Sequence, residues 1–216
     1  KLPELADPTF IIAGEQTAGR GRQGRTWYSP PGVNLYATMV MKRWPLPPVA
    51  AAWLVALGAM ELLGEQEPGL AVWLKWPNDL YVGRSKLGGL LTETVANSAG
   101  FSGPAVIVGL GLNLNLPPEK LRRIGQSATS VLVETGRTVE VQDFARRLGR
   151  RLAAAYARAD ATPDFGRQLF RRWREANRLI GQEVRVVPER GGEVVGRAAD
   201  LAEDGALILA TPDGRC

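Results

Sequence analysis

Residues 15–27 read Glu-Gln-Thr-Ala-Gly-Arg-Gly-Arg-Gln-Gly-Arg-Thr-Trp, with Arg20, Arg22 and Arg25 alternating with Gly19, Gly21 and Gly24. Glycine lets a backbone take positive φ and approach a ligand closely. Arginine offers a rigid, permanently charged fork that matches phosphate and carboxylate oxygens. The run reads as a loop that wraps an anionic small molecule. Gly19 to Gly24 also fits G-x-G-x-x-G, but that motif needs a helix opening at the glycines and an acidic residue about 20 positions later. Here Pro30-Pro31 follow, which disfavour helix, and the segment at the right distance is Val40-Met41-Lys42-Arg43-Trp44. The dinucleotide-binding reading fails.

Three further clusters carry chemistry. Lys75-Trp76-Pro77-Asn78-Asp79 ends a strand-like stretch with a carboxamide and a carboxylate; an Asn-Asp turn is the plain alternative. Trp73 and Trp76, three apart, would face opposite sides of a strand, so both are not simple core. Lys86-Leu87-Gly88-Gly89-Leu90-Leu91-Thr92-Glu93 brings a lysine beside two glycines, where missing side chains admit a ligand against the backbone. The plain alternative is a hairpin with a surface lysine, and Glu93 carries no assigned role. Val108-Gly109-Leu110-Gly111-Leu112-Asn113-Leu114-Asn115 alternates glycine through an apolar strand, which points to close approach of a backbone or ligand. Asn113 and Asn115 would share one side and need polar partners.

The elements that position these residues follow from pattern. Strands are expected at Thr9–Ala13, Asn34–Met41, Ala71–Trp76 and Ala105–Leu116, with a hairpin of Leu80–Val82 and Leu87–Val95 turning through Gly83-Arg84-Ser85. A buried helix is expected over Val49–Leu63, closed by Gly64, and two more over Gln142–Arg158 and Asp164–Arg178. In the last, Phe165, Leu169 and Trp173 share one face. Beyond Gly181 short β stretches at Glu183–Pro188, Glu193–Ala198 and Ala206–Ala210 alternate with the turns Glu189-Arg190-Gly191-Gly192 and Glu203-Asp204-Gly205, as in a small antiparallel barrel. A boundary near Ile180–Gly181 divides residues 1–180 from 181–216.

Composition narrows the function classes. The 216 residues are 45% apolar, with six tryptophans and no histidine. Histidine triads, histidine bases and histidine metal ligands are therefore excluded. One cysteine, Cys216, allows no intrachain disulfide and suits a reducing cytoplasm. No apolar run approaches a membrane span and no signal-peptide pattern opens the chain. The net charge of +5 raises nucleic acid as a partner, but Arg146, Arg147, Arg150 and Arg151 read as a solvated helix face.

In order and spacing, Gln16 to Trp27, Lys75 to Asp79, Lys86 to Glu93 and Gly109 to Asn113 resemble the biotin protein ligases, with Ala128-Thr129-Ser130 as a further element. The resemblance covers essentially the whole chain. It implies an α+β fold, a mixed sheet with helices as in class II aminoacyl-tRNA synthetases, plus an SH3-like C-terminal domain. It implies that ATP activates biotin to biotinyl-5′-AMP with release of pyrophosphate, and that biotin then passes to one lysine of a biotin carboxyl carrier protein. That carrier would be an acetyl-CoA carboxylase subunit or belong to another biotin-dependent carboxylase.

Carried over by position, the biotin or adenylate contacts are Gln16, Gly19, Arg20, Gly21, Arg22, Trp27, Lys86 and Gly89. Arg25, Asn78 and Asn113 fall on the ATP side. Lys86, Arg20, Arg22 and Asp79 are the catalytic set, and Asp79 is the Mg²⁺ candidate. The family's Ser-Thr-Asn segment before the first strand has no counterpart after Lys1, and the C-terminal barrel is expected to be incomplete. A cytoplasmic location is expected, with no DNA or membrane partner, and a homodimer is allowed. A lipoate ligase of the same superfamily is the enzyme alternative. A basic nucleic-acid-binding module is the alternative of another class, disfavoured because aromatic residues do not interleave with a basic face.

Overall fold

In the computed structural model, which describes residues 4–96, 104–188, 192–211 and 214, a six-stranded sheet carries or borders the motifs singled out in the sequence. In chain order its strands and neighbouring helices are β1 (Thr9–Ala13), β2 (Leu35–Met41), α1 (Pro48–Gln66), β3 (Val72–Lys75), β4 (Asp79–Val82), β5 (Ser85–Val95) and β6 (Ala105–Leu112). Then come α2 (Pro118–Leu121), α3 (Val131–Thr135), α4 (Val141–Ala161), α5 (Phe165–Ala176), β7 (Glu183–Val186), β8 (Val194–Leu201) and β9 (Leu207–Ala210). The sheet order is β1-β2-β6-β5-β4-β3. Its ladders are antiparallel, and parallel pairing is confined to isolated bridges from Leu74 to Asn177 and from Lys86 to Ala128.

Alternation along β6 separates two faces. Val106, Val108, Leu110 and Leu112 are buried against the helices, while Ile107, Gly109 and Gly111 look to the other side. Leu80, Leu87 and Leu90 join the core face from β4 and β5, and Leu35, Met39 and Met41 from β2. α1 lies across this face, with α4 and α5 packed behind it. Trp53 of α1 stacks on Trp173 of α5 with ring centroids 4.8 Å apart. By length and apolarity alone α1 could cross a membrane. Here Ala50 through Ala59, Leu62 and Leu63 are buried in the protein's own interior, as expected of a core helix.

Gly64 does not close α1, contrary to the sequence expectation. The helix continues to Gln66 because Leu62 and Leu63 are buried and Glu65 pairs with Arg147 and Arg151 of α4. Packing here outweighs the helix cost of one glycine, about 1 kcal/mol. β6 also stops at Leu112, not Leu116, because the two asparagines turn inward to bind loop backbone. Asn115 exchanges hydrogen bonds with the Val139 backbone, donating to the carbonyl and accepting from the N–H at 2.8 Å each. The short α3 was missed, although its signals are local. Ser130 Oγ accepts from the Val133 N–H at 3.2 Å, and Gly136 closes the helix at φ 71°.

The expected C-terminal unit appears as a three-stranded antiparallel sheet, β7-β8-β9, among the described residues. Cys216 and Glu189-Arg190-Gly191 of the first expected turn lie outside the described residues. Leu201 is buried in the main core and Leu207 packs on it, so this sheet shares the interior of the larger domain. Arg174 Nε of α5 meets Asp200 Oδ1 of β8 at 2.5 Å, which holds the Asp200 carboxyl below its ordinary range.

Candidate functional site

The sheet face turned away from α1 forms the floor of a cleft of about 250 Å³. Register explains its shape. Asp79 pairs with Gly89, Gly89 with Gly111, and Gly111 with Tyr36, so one row crosses four strands with two adjacent glycines in the middle. The next row sets Leu91 beside Gly109 and Gly109 beside Thr38. Missing side chains at Gly89, Gly109 and Gly111 leave a trough across an otherwise filled sheet.

Both middle glycines are occupied from above. A Cβ at Gly111 would fall 2.4 Å from two atoms of the Trp27 indole, so the ring lies directly on that backbone. A Cβ at Gly89 would approach Asp79 Oδ1 at 3.0 Å and Lys86 Nζ at 3.1 Å. Lys86 Nζ and Asp79 Oδ1 themselves form an ion pair of 2.7 Å, with the ammonium 5.4 Å from the Trp27 ring centre. Lys86 is held by its backbone, which donates to the Ser127 carbonyl at 3.0 Å and accepts from Thr129 N–H at 2.9 Å. The Ala128-Thr129-Ser130 element thus fixes the strand from which Lys86 reaches into the trough. The Trp27 indole N–H is enclosed and has no hydrogen-bond partner among the described residues.

The arginine–glycine run folds as a small hairpin over this floor. Trp27 N–H donates to Gly19 O at 2.9 Å and Gly21 N–H to Arg25 O at 2.7 Å, with Gln23 and Gly24 at positive φ at the tip. Arg22 Nη1 reaches Asn78 Oδ1 at 3.4 Å, and Arg20 Nη2 reaches Glu93 Oε1 at 3.4 Å. Asn78 also donates its amide to the Leu90 carbonyl. Gln16 accepts from Ser29 Oγ at 2.8 Å at the loop's base. Arg20, Arg22, Arg25 and Lys86 line the cleft with Asp79 and Glu93, leaving a positive excess facing any occupant.

The structure therefore brings Gln16, Arg20, Gly21, Arg22, Arg25, Trp27, Asn78, Asp79, Lys86 and Gly89 to one cleft. Gly19 and Asn113 are placed differently. Gly19 is buried under the loop, where a Cβ would meet Trp27 O at 2.5 Å, so it shapes the hairpin instead of lining the cleft. Asn113 is 2% exposed; its amide donates to Thr129 O at 3.0 Å and its oxygen accepts from Asn34 at 3.4 Å. Its side chain ties the strand end to the Thr129 segment and does not face the cleft. Sequence reasoning missed Thr38, Glu93, Ile107 and Gln126, which also line it. For Ile107 the alternation with Gly109 and Gly111 was a readable signal; for Gln126 there was none.

Two family models match the chain: the biotin/lipoate A/B protein ligase family over residues 1–113 and the biotin protein ligase C-terminal domain over 179–215. A biotin–[acetyl-CoA-carboxylase] ligase of Mycobacterium tuberculosis is 33% identical over 208 residues, covering 94% of this chain and 73% of the relative. Its counterpart from Paracoccus denitrificans is 33% identical over 221 residues, covering 99% and 88%. Among solved structures, the Aquifex aeolicus biotin protein ligase in complex with biotin and ATP superposes with a TM-score of 0.79 at 26% identity, over 98% of this chain and 85% of that one.

Proposed function

The chain belongs to the biotin/lipoate A/B protein ligase family, and we propose that its cleft activates biotin with ATP and hands it to a carrier lysine. The observation that carries the reading is the Lys86–Asp79 pair beside the Gly89–Gly111 trough, under a loop bearing three arginines.

The chemistry fits the side chains. A biotin carboxylate oxygen attacks the α-phosphorus of ATP, the bond to the bridging oxygen breaks, and pyrophosphate leaves. The obstacle is repulsion between two anions, so catalysis requires neutralisation and positioning, which fixed cations provide. Lys86 can face both groups from the trough, and Arg20, Arg22 and Arg25 can close over the phosphates. In the second step the carrier lysine's amine attacks the acyl carbon and AMP leaves, while the loop shields the mixed anhydride from water.

Magnesium is part of the nucleotide substrate in this reading. No cluster of three His, Cys, Asp or Glu side chains among the described residues could cage a metal. A nucleotide site commonly holds Mg²⁺ with one or two carboxylates plus substrate phosphates. Asp79 fits as that single carboxylate once its pair with Lys86 loosens around the substrates.

The acceptor is a biotin carboxyl carrier domain in this proposal, by analogy with the enzymes named above. A cytoplasmic location is proposed as well, supported by the ATP requirement and the single cysteine in 216 residues.

Purified protein incubated with biotin, MgCl₂ and α-³²P-ATP should yield labelled biotinyl-adenylate on thin-layer chromatography. Turnover with lipoate and none with biotin would move the chain to the other branch of the family. A second expectation concerns the loop: Arg22→Gly removes both a cation and the Asn78 contact, so activated biotin should escape about tenfold faster, the equivalent of one charge-assisted hydrogen bond. An unchanged release rate in a single-turnover trap would remove Arg22 from retention.

A further inference from the structure

Trp76 stands between Lys75 and the Pro77-Asn78-Asp79 turn, yet its side chain points away from the cleft. It packs against the core and donates its indole N–H to the Gly205 carbonyl at 2.8 Å. Gly205 belongs to the β8–β9 turn of the C-terminal sheet, 129 residues further along the chain.

That turn is built to hold its carbonyl in place. Gly205 N–H donates to Ala202 O at 2.8 Å, Ala202 N–H to Ala206 O at 2.9 Å, and Ala206 N–H to Asp204 Oδ1 at 2.9 Å. Gly205 sits at φ 87°, a conformation that favours glycine. A Cβ there would lie 2.9 Å from Val49 and 3.2 Å from Trp53, both on α1. The Gly205 Cα therefore lies close against the core helix, and the neighbouring Leu201 is buried in the same core.

On the cleft side the turn has its own contacts. Asn78 O accepts from Leu90 N–H at 2.9 Å, its side chain meets Arg22 and the Leu90 carbonyl, and Asp79 pairs with Lys86. The Trp76–Asp79 segment thus spans two fastenings: Trp76 on the C-terminal sheet behind it, and Asn78 and Asp79 on Arg22, Leu90 and Lys86 in front.

We infer that Trp76 is a positioning residue for the activation step, and that the β8–β9 turn of the C-terminal sheet sets the placement of Asn78 and Asp79 through it. The inference rests on the proposed biotin activation. It gives the small sheet a task inside the catalytic domain without any of its side chains entering the cleft.

Trp76→Phe tests this, since it keeps an aromatic ring against the core and removes the pyrrole part of the indole, with its N–H donor. The kcat of biotin-dependent ATP–pyrophosphate exchange should fall about three- to tenfold, the range for one lost hydrogen bond. KM for biotin should stay within twofold, and amide hydrogen exchange should rise over residues 78–80. Gly205→Ala, which crowds Val49 of α1 and strains the turn at its positive φ, should lower kcat similarly. The double variant should be no worse than the poorer single one, because both break one fastening. A purely structural role predicts a lower melting temperature with kcat and exchange in 78–80 unchanged, or fully additive losses; either result overturns the inference. If the wild-type protein shows no exchange activity with biotin, the functional reading fails, and hydrogen exchange in Trp76→Phe still decides whether the β8–β9 turn restrains the Asn78–Asp79 segment.

Discussion

Lys86→Ala should lower biotinyl-adenylate formation by about two to three orders of magnitude, the range seen when one preorganised electrostatic contact to a developing charge is removed. The size of the effect has two sources. The cleft loses the cation that sits 2.7 Å from Asp79, above the Gly89–Gly111 trough. It also leaves Asp79 without its partner. Stability should change by about 1–3 kcal/mol, because the pair is mostly buried and Asp79 is left without its partner. The measurement is biotin-dependent ATP–pyrophosphate exchange beside a thermal melt. A rate within a few fold of wild type would remove Lys86 from the catalytic set.

Gly111→Ala should raise KM for biotin about tenfold or more. The added methyl would fall 2.4 Å from the Trp27 ring, and something must move. β6 lies inside the sheet, paired to β2 on one side and β5 on the other, so the strand is held. Trp27 belongs to the loop segment and gives way. Overpacking of this kind costs about 1–3 kcal/mol. In this site the penalty falls on the closed loop, and the wall of the cleft lifts. Binding measured by calorimetry, and kinetics of the Trp27→Phe/Gly111→Ala pair, check the mechanism. If the loss comes from the collision, the double variant should be less impaired than the two single effects multiplied. Full multiplication, or a wild-type KM in Gly111→Ala, would show that the ring does not form the wall.

These two residues show how unevenly the site was legible. Lys86 stood out because a lysine beside two glycines is a local pattern, and the arginine–glycine loop was equally plain. The strands of the larger sheet, the hairpin and the long helices followed from periodicity, with errors at ends such as Gly64 and Leu116. Those ends depended on the partners of Glu65 and Asn115, both supplied from elsewhere in the chain. Asn113 is the instructive case. Its residue type invited a ligand role, but Asn34 and Thr129 supply the partners its amide needs. Sequence marks a demand for hydrogen bonds and does not say whether protein or ligand meets it.

What the sequence determined by itself was the chemistry available: four cations for anionic reactants, no histidine, and glycines where a backbone had to be bare. Those properties belong to residue types and short spacings, which act over a few bonds. The tertiary structure decided which glycines share a row, that Trp27 covers Gly111, and that Trp76 turns back to Gly205. Register and long-range contact arise from packing segments far apart in the chain, and no local preference encodes which of them will meet.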